Sequence, residues 1–61
     1  MSTFYTALTR KKGERRYYLC GYRSNDLEAF RDMIYADIRD GKYAAAKIVE
    51  WGTGKLIEKV I

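Results

Sequence analysis

The chain has 61 residues, with twelve lysines and arginines against eight aspartates and glutamates and a formal net charge of +4. This length is sufficient for one domain, 1–61, which buries only about 60% of the surface that its unfolded chain exposes. A single cysteine and no histidine exclude an internal disulfide and the usual zinc-binding sets. Because tight packing or oligomerisation must then stabilise the fold, we expect a homodimer.

Targeting signals and cysteine usage predict the compartment. Residues 1–5 lack the charged and apolar regions of a signal peptide, and no apolar run approaches the ~20 residues that cross a bilayer. Low cysteine usage is typical of a reducing compartment. We therefore expect a cytoplasmic protein that makes no membrane contact.

Charge is distributed unevenly along the chain. Residues 1–23 carry six cationic side chains and one acid, residues 24–41 carry two and five, and residues 42–61 carry four and two. A molecule polarised in this way attracts a polyanion to its basic side, or a second copy head to tail.

The first part of the chain predicts a β-hairpin. Residues 3–10 and 15–23 are rich in Thr, Tyr and Phe, which favour strands, and Lys11-Lys12-Gly13 predicts a three-residue loop that pairs Arg10 with Glu14. This register divides the side chains between two faces. The expected core face carries Phe4, Thr6, Leu8, Tyr18, Cys20 and Tyr22, and the other face carries Tyr5, Ala7, Thr9, Arg15, Tyr17, Leu19 and Arg23.

A helix is predicted over residues 26–40. Asn25 as the N-cap and Glu28 three residues later match a capping box, and Gly41 supplies the C-terminal stop. Apolar residues recur at helical spacing and are expected to pack against the sheet. These residues are Leu27, Phe30, Ile34 and Ile38.

The last third of the chain predicts a second hairpin. Residues 48–51 and 56–61 favour strands, and Gly52-Thr53 between them suits a tight two-residue turn. Opposite charges and apolar side chains then face one another across the strands. The expected pairs are Glu50 with Lys55, Lys47 with Glu58, Ile48 with Ile57, and Val49 with Leu56.

The element order is therefore ββαββ, an α+β domain of antiparallel hairpins with one helix packed on one sheet face. The second hairpin carries large apolar residues on both faces, and one helix covers only one of them. The remaining apolar face needs another cover, which again favours a second copy of the chain. The apolar residues on the two faces are Ile48, Ile57 and Ile61, and Val49, Trp51, Leu56 and Val60.

The side chains available for chemistry favour a protein that is not an enzyme. No histidine is present to act as a general base near neutral pH or to activate Cys20, which is expected to be a buried small hydrophobe. Asp37 and Asp40, one helical turn apart, are typical of a solvated helix surface. Gly52-Thr53-Gly54-Lys55 lacks the first glycine of a phosphate-binding loop. We expect no metal and no cofactor.

One stretch, residues 15–23, interleaves arginines with tyrosines. Such a strand can stack bases and hold phosphates, and the same residue types are enriched at protein–protein hot spots. Flanking arginines also simply solubilise a small sheet. The candidate binding surface comprises Tyr5, Lys11, Lys12, Arg15, Tyr17 and Arg23.

Two functions follow as hypotheses. The first is a small non-catalytic regulatory protein that binds or inhibits an unknown protein partner, as a homodimer; accessory proteins of phages and mobile elements are often of this kind. The alternative is a nucleic-acid-binding module that uses the basic, Tyr-rich first hairpin.

Overall fold

A four-stranded antiparallel sheet and one helix make up residues 3–61, the part of the chain that this computed structural model describes. The elements are β1 (Tyr5–Arg10), β2 (Tyr18–Leu19), α1 (Leu27–Arg39), β3 (Ala45–Glu50) and β4 (Leu56–Lys59). The strand order is β2-β1-β3-β4, so β1 and β3 form the centre of the sheet. The predicted α+β class and ββαββ order are confirmed.

The core lies between α1 and one face of the sheet. Phe30 and Ile34 are buried against Ala7 and Ala46 of the central strands, together with Ile48. The small alanine side chains allow the helix to approach the sheet closely. Leu27 and Ile38 pack against this cluster from the two ends of the helix and are partly buried. The predicted apolar stripe is therefore the face of α1 that contacts the sheet.

Local polar contacts determine where α1 begins and ends. The N-cap is Asp26, whose carboxylate accepts a hydrogen bond of 3.0 Å from the Ala29 N–H, so the prediction of Asn25 was wrong by one residue. The hydroxyl of Ser24 accepts the N–H of Asp26 at 3.0 Å, which orients the aspartate for this role. At the other end Gly41 adopts a φ of +83° after the last turn, as a C-terminal stop requires.

The predicted register of the first hairpin was wrong. Thr9 pairs with Tyr18 rather than with Arg15, a shift of three residues, and the connection between the strands occupies residues 11–17. An odd shift exchanges the faces of one strand relative to the other. Ala7 therefore faces the helix, whereas the face expected to form the core, with Thr6 and Leu8, points away from it.

Pairing with β3 provides the physical reason for this exchange. Ala7 lies opposite Ile48 and Thr9 lies opposite Ala46, so the helix-facing side of β1 is the one that continues the core residues of β3. Only Tyr18 and Leu19 of the predicted strand 15–23 form β2. Gly21 then takes a φ of +88°, and the chain departs from regular strand geometry.

The second hairpin follows its prediction near the turn and departs from it further along. Val49 pairs with Leu56 as expected, and the Glu50 N–H donates to the Lys55 carbonyl at 2.8 Å. A β-bulge beyond this point places Ile48 opposite Glu58 and Lys47 opposite Lys59, so the expected pairs of Ile48 with Ile57 and of Lys47 with Glu58 were wrong. The turn is also longer than predicted, since residues 51–54 form it.

The bulge has a packing consequence. Ile57 packs against the core, and the neighbouring Glu58 also meets the helix: its carboxylate lies 3.0 Å from Arg31 Nε and accepts a hydrogen bond of 2.7 Å from the Tyr35 hydroxyl. A regular strand would direct two successive side chains to opposite faces. The irregularity thus lets an apolar and an acidic residue of β4 both contact the helix side.

Candidate functional site

The face of the sheet opposite α1, here called the open face, has no covering element among residues 3–61. Direct partners in an antiparallel sheet share a face, so the strand register identifies its members. Thr6, Val49 and Leu56 form one row across three strands, and Trp51 joins Phe4 through a backbone hydrogen bond of 2.8 Å. The strand residues of the open face are Phe4, Thr6, Leu8, Arg10, Leu19, Ala45, Lys47, Val49, Trp51, Leu56 and Lys59, and Tyr17 and Arg23 contact this face.

Large apolar side chains on this face remain in contact with solvent. Leu19 is 60% exposed, Leu56 is 55% exposed and Trp51 is 46% exposed, whereas Thr6 and Val49 between them are buried at 3% and 6%. The exposed side chains therefore surround a buried floor formed by Thr6 and Val49. Burial of such a patch releases its hydration water and stabilises a complex.

Arg23 lies over two aromatic rings of the open face. Its guanidinium carbon is 5.4 Å from the centroid of the Phe4 ring and 5.2 Å from that of the Trp51 ring. A pair of backbone hydrogen bonds between Tyr5 and Ser24, of 2.8 and 3.0 Å, holds the residue after Arg23 against β1. Cation–π attraction to both rings orients the guanidinium at this position.

Two adjoining grooves run beside this cluster. One, with a volume of about 280 Å³, is lined by Arg23 and by the backbone around Gly21, and the other, of about 440 Å³, extends to the turn of residues 51–54. Thr6, Leu19 and Trp51 line both grooves, so the two are continuous at these side chains. The result is an elongated apolar depression with a guanidinium at one end.

Several basic side chains lie on the open face. Lys47 and Lys59 pair on the open face, and Lys47 Nζ lies 4.3 Å from the centroid of the Tyr17 ring. Within residues 3–61, no carboxylate lies within ion-pair distance of either lysine or of Arg23. Glu50 borders the groove near the turn, where it accepts a hydrogen bond from Thr53. The open face is therefore basic as well as apolar.

Two acidic side chains, those of Asp37 and Glu58, make contacts on the helix side. Asp37 lies 4.0 Å from Lys42, and Glu58 contacts Arg31 and Tyr35. The hydrogen bond to the Glu58 carboxylate is the main reason that the pKa of Tyr35 is raised, and partial desolvation raises it further. The pKa of Lys42 is raised by Tyr43 first, and then by Asp37 and Tyr22. These contacts join elements on the helix side.

The structure separates the residues of the candidate surface predicted from sequence. Arg23 and Tyr17 lie on the open face, but Tyr5 lies on the helix side and packs against the core. Lys11, Lys12 and Arg15 are exposed in the connection between β1 and β2. A single face therefore holds two of the six predicted residues, while three lie in a loop at its end.

The candidate surface predicted from sequence lacks the apolar residues of the site. Phe4 was assigned to the core, and Leu19 to the outer face of the first hairpin. A signal for Trp51 and Leu56 was present in the second hairpin, where both were grouped with Val49 on one face. Val60 was placed in the same group, but beyond the bulge it packs against the core instead, so that assignment was wrong. The place of Trp51 and Leu56 on the same face as Arg23 depends on the pairing of β1 with β3, which joins the two hairpins.

Other features and relationships do not assign a function. The described part of the chain contains no helix long and apolar enough to span a bilayer, and no group of three side chains suited to hold a metal ion. Comparisons with protein-family models, with curated proteins and with solved structures find no significant match.

Proposed function

We propose that this chain is a non-catalytic interaction domain that binds or inhibits another protein through its open face. The observation that carries the proposal is the uncovered cluster of Phe4, Leu19 and Trp51 around Arg23, with Leu56 exposed on the same face. Tryptophan and arginine are the residue types most enriched among interface hot spots, and such residues usually occupy the centre of an apolar patch. The buried floor of Thr6 and Val49 supplies the close-packed base that a hot spot needs.

The proposal predicts that one side chain dominates binding. Trp51 lines both grooves and leaves 46% of its surface exposed on the face. Its truncation to alanine in an interface should weaken binding by about 2 kcal/mol or more, which is roughly 30-fold. Tyr18 is a matched control, since it is 58% exposed but pairs with Thr9 on the helix side.

The test combines capture with reconstitution. Tagged wild type, Trp51→Ala and Tyr18→Ala chains are used to capture proteins from the source cell, and each captured protein is then purified and titrated against the same three chains. The proposal expects a protein that binds wild type and Tyr18→Ala with similar affinity and Trp51→Ala far more weakly. Equal binding of all three variants by every purified candidate contradicts it.

A homodimer is part of this proposal. In the absence of another partner, a second copy is available to cover the open face, and the marginal core of a chain this short favours such association. Packing two open faces together brings Arg23, Lys47 and Lys59 of each copy close to those of the other. We therefore propose that this dimer forms weakly at low salt and more strongly when salt screens the repulsion.

A nucleic-acid-binding module is the second candidate. It is favoured by the cations of the open face, which include the Lys47 ammonium over the Tyr17 ring, and by the exposed basic connection that contains Lys11 and Lys12. Leu19 and Leu56 argue against it, because aliphatic side chains do not offer a flat ring for base stacking. Fluorescence anisotropy of labelled single- and double-stranded oligonucleotides at about 50 mM salt is the test. Lack of binding at tens of micromolar protein excludes this candidate.

A further inference from the structure

Arg23 has a charged group that is oriented but not paired. The guanidinium lies over the rings of Phe4 and Trp51, and none of the carboxylates or carbonyl groups of residues 3–61 accepts a hydrogen bond from it. An aromatic ring attracts the positive charge but does not replace an acceptor for the N–H donors. These donors are therefore available to an anion.

Arg23 also lines the smaller groove, together with Thr6, Leu19, Gly21, Tyr22 and Trp51. A ligand in this groove meets an apolar wall and a cation side by side. An arginine binds a carboxylate through parallel N–H···O bonds, and this geometry is directional. The groove is thus suited to an apolar side chain with an anionic group next to it.

Continuing from the proposed function, on which this step rests, we infer that the partner contributes an acidic segment in which a carboxylate neighbours an apolar side chain. The apolar side chain occupies the groove between Leu19 and Trp51, and the carboxylate pairs with Arg23. Lys47 and Lys59, on the same face and without acidic partners within the described chain, attract further carboxylates of the segment. Charge complementarity therefore selects an acidic peptide over a neutral one.

A nucleic-acid phosphate shares the anionic chemistry but fits the groove less well. Base stacking needs a free ring face, and Arg23 already covers one face each of Phe4 and Trp51. The aliphatic Leu19 also lines the groove and offers no ring for stacking. These contacts favour a peptide carboxylate, and the phosphate becomes an outcome of the test.

The experiment uses three defined probes with the full chain. The acidic probe is an acetylated and amidated peptide of sequence GEFELG, the neutral probe is its glutamine counterpart GQFQLG, and the phosphate probe is an eight-nucleotide oligothymidylate. Binding is followed by the amide and indole NMR signals of the isotope-labelled protein at low salt. The variants are Arg23→Gln, Arg23→Lys and Trp51→Ala. Arg16→Gln is a matched control, because Arg16 is exposed in the connection and lines neither groove.

The inference expects the acidic peptide to shift the signals of Leu19, Arg23 and the Trp51 indole, and to bind about fivefold or more tightly than the neutral peptide. Arg23→Gln should abolish this preference, Arg23→Lys should restore it only in part, and Arg16→Gln should leave most of it. The unchanged spectrum of each free variant outside the groove serves as the control for folding.

Three results would overturn the inference. Equal binding of the acidic and neutral peptides, with loss of both in Trp51→Ala, shows an apolar groove without anion recognition and leaves the proposed function standing. Arg23-dependent binding of the oligothymidylate alone assigns the groove to nucleic acid instead. No binding of any probe at millimolar concentration shows that the groove does not bind peptides. The titration of captured proteins against Trp51→Ala then tests the proposed function independently.

Discussion

The Tyr35 hydroxyl donates a 2.7 Å hydrogen bond to Glu58 Oε2 and so joins α1 to the edge strand β4. Because this bond is made by the neutral phenol, it raises the pKa of Tyr35 above its ordinary value near 10. A folded-state pKa that is raised contributes stability below the unfolded pKa, and that contribution disappears as the pH rises through the folded pKa. The contact therefore stabilises the fold at neutral pH.

The first prediction concerns the loss of this stabilising contact at high pH. Tyr35→Phe should lower the melting temperature slightly at pH 8, and the difference from wild type should shrink as the pH is raised above about 10. Thermal melting between pH 8 and 11 measures it. Tyr18→Phe is the control, since its ring is exposed and its hydroxyl has no hydrogen-bond partner within residues 3–61. A wild type–Tyr35→Phe difference that stays constant across this range would refute the assignment.

The second prediction concerns the helix core. Phe30 is 3% exposed between α1 and the sheet, so Phe30→Ala should destabilise the fold by roughly 3–5 kcal/mol through loss of contacts and the resulting cavity. In a chain this short such a loss approaches the whole free energy of unfolding. Met33→Ala, on the exposed side of the helix, should cost far less. Urea denaturation compares them, and equal midpoints for Phe30→Ala and wild type would contradict the packing.

The third prediction separates two adjacent residues at the start of α1. Asp26→Ala should cost about 1 kcal/mol, because it removes the acceptor of the Ala29 N–H. Asn25→Ala should cost much less, since the Asn25 side chain makes no capping bond in the described structure. The same denaturation assay ranks them. A larger loss for Asn25→Ala would restore the capping scheme predicted from sequence.

The fourth prediction concerns self-association. Light scattering at micromolar concentration should report a mass that moves from one chain toward two as salt rises from about 0.1 to 1 M, because cations on the open face repel at low salt. Arg23→Gln should shift the transition to lower salt. A constant single-chain mass under all these conditions would remove the homodimer from the proposal.

The helix shows what can be obtained from local sequence alone. The spacing of Leu27, Phe30, Ile34 and Ile38 predicted its contact face, and Gly41 predicted its end, because both depend on residues within a few turns of one another. The same local reasoning predicted the pairing of Val49 with Leu56 across a short turn. Its error at Asn25 was one residue, caused by two adjacent side chains that both suit an N-cap.

The open face required the tertiary structure. Which side of β1 faces the helix is decided by its pairing with β3, about forty residues away, where Ala7 meets Ile48 and Thr6 meets Val49. The sequence by itself, through its composition and hydrophobic period, determined the order of the elements and the face of the helix that packs. A register shift of one residue reverses the faces of a whole strand at little local cost, so only the packing of α1 on the assembled sheet could choose between the two faces. That choice placed Arg23 and Trp51 together on the uncovered side.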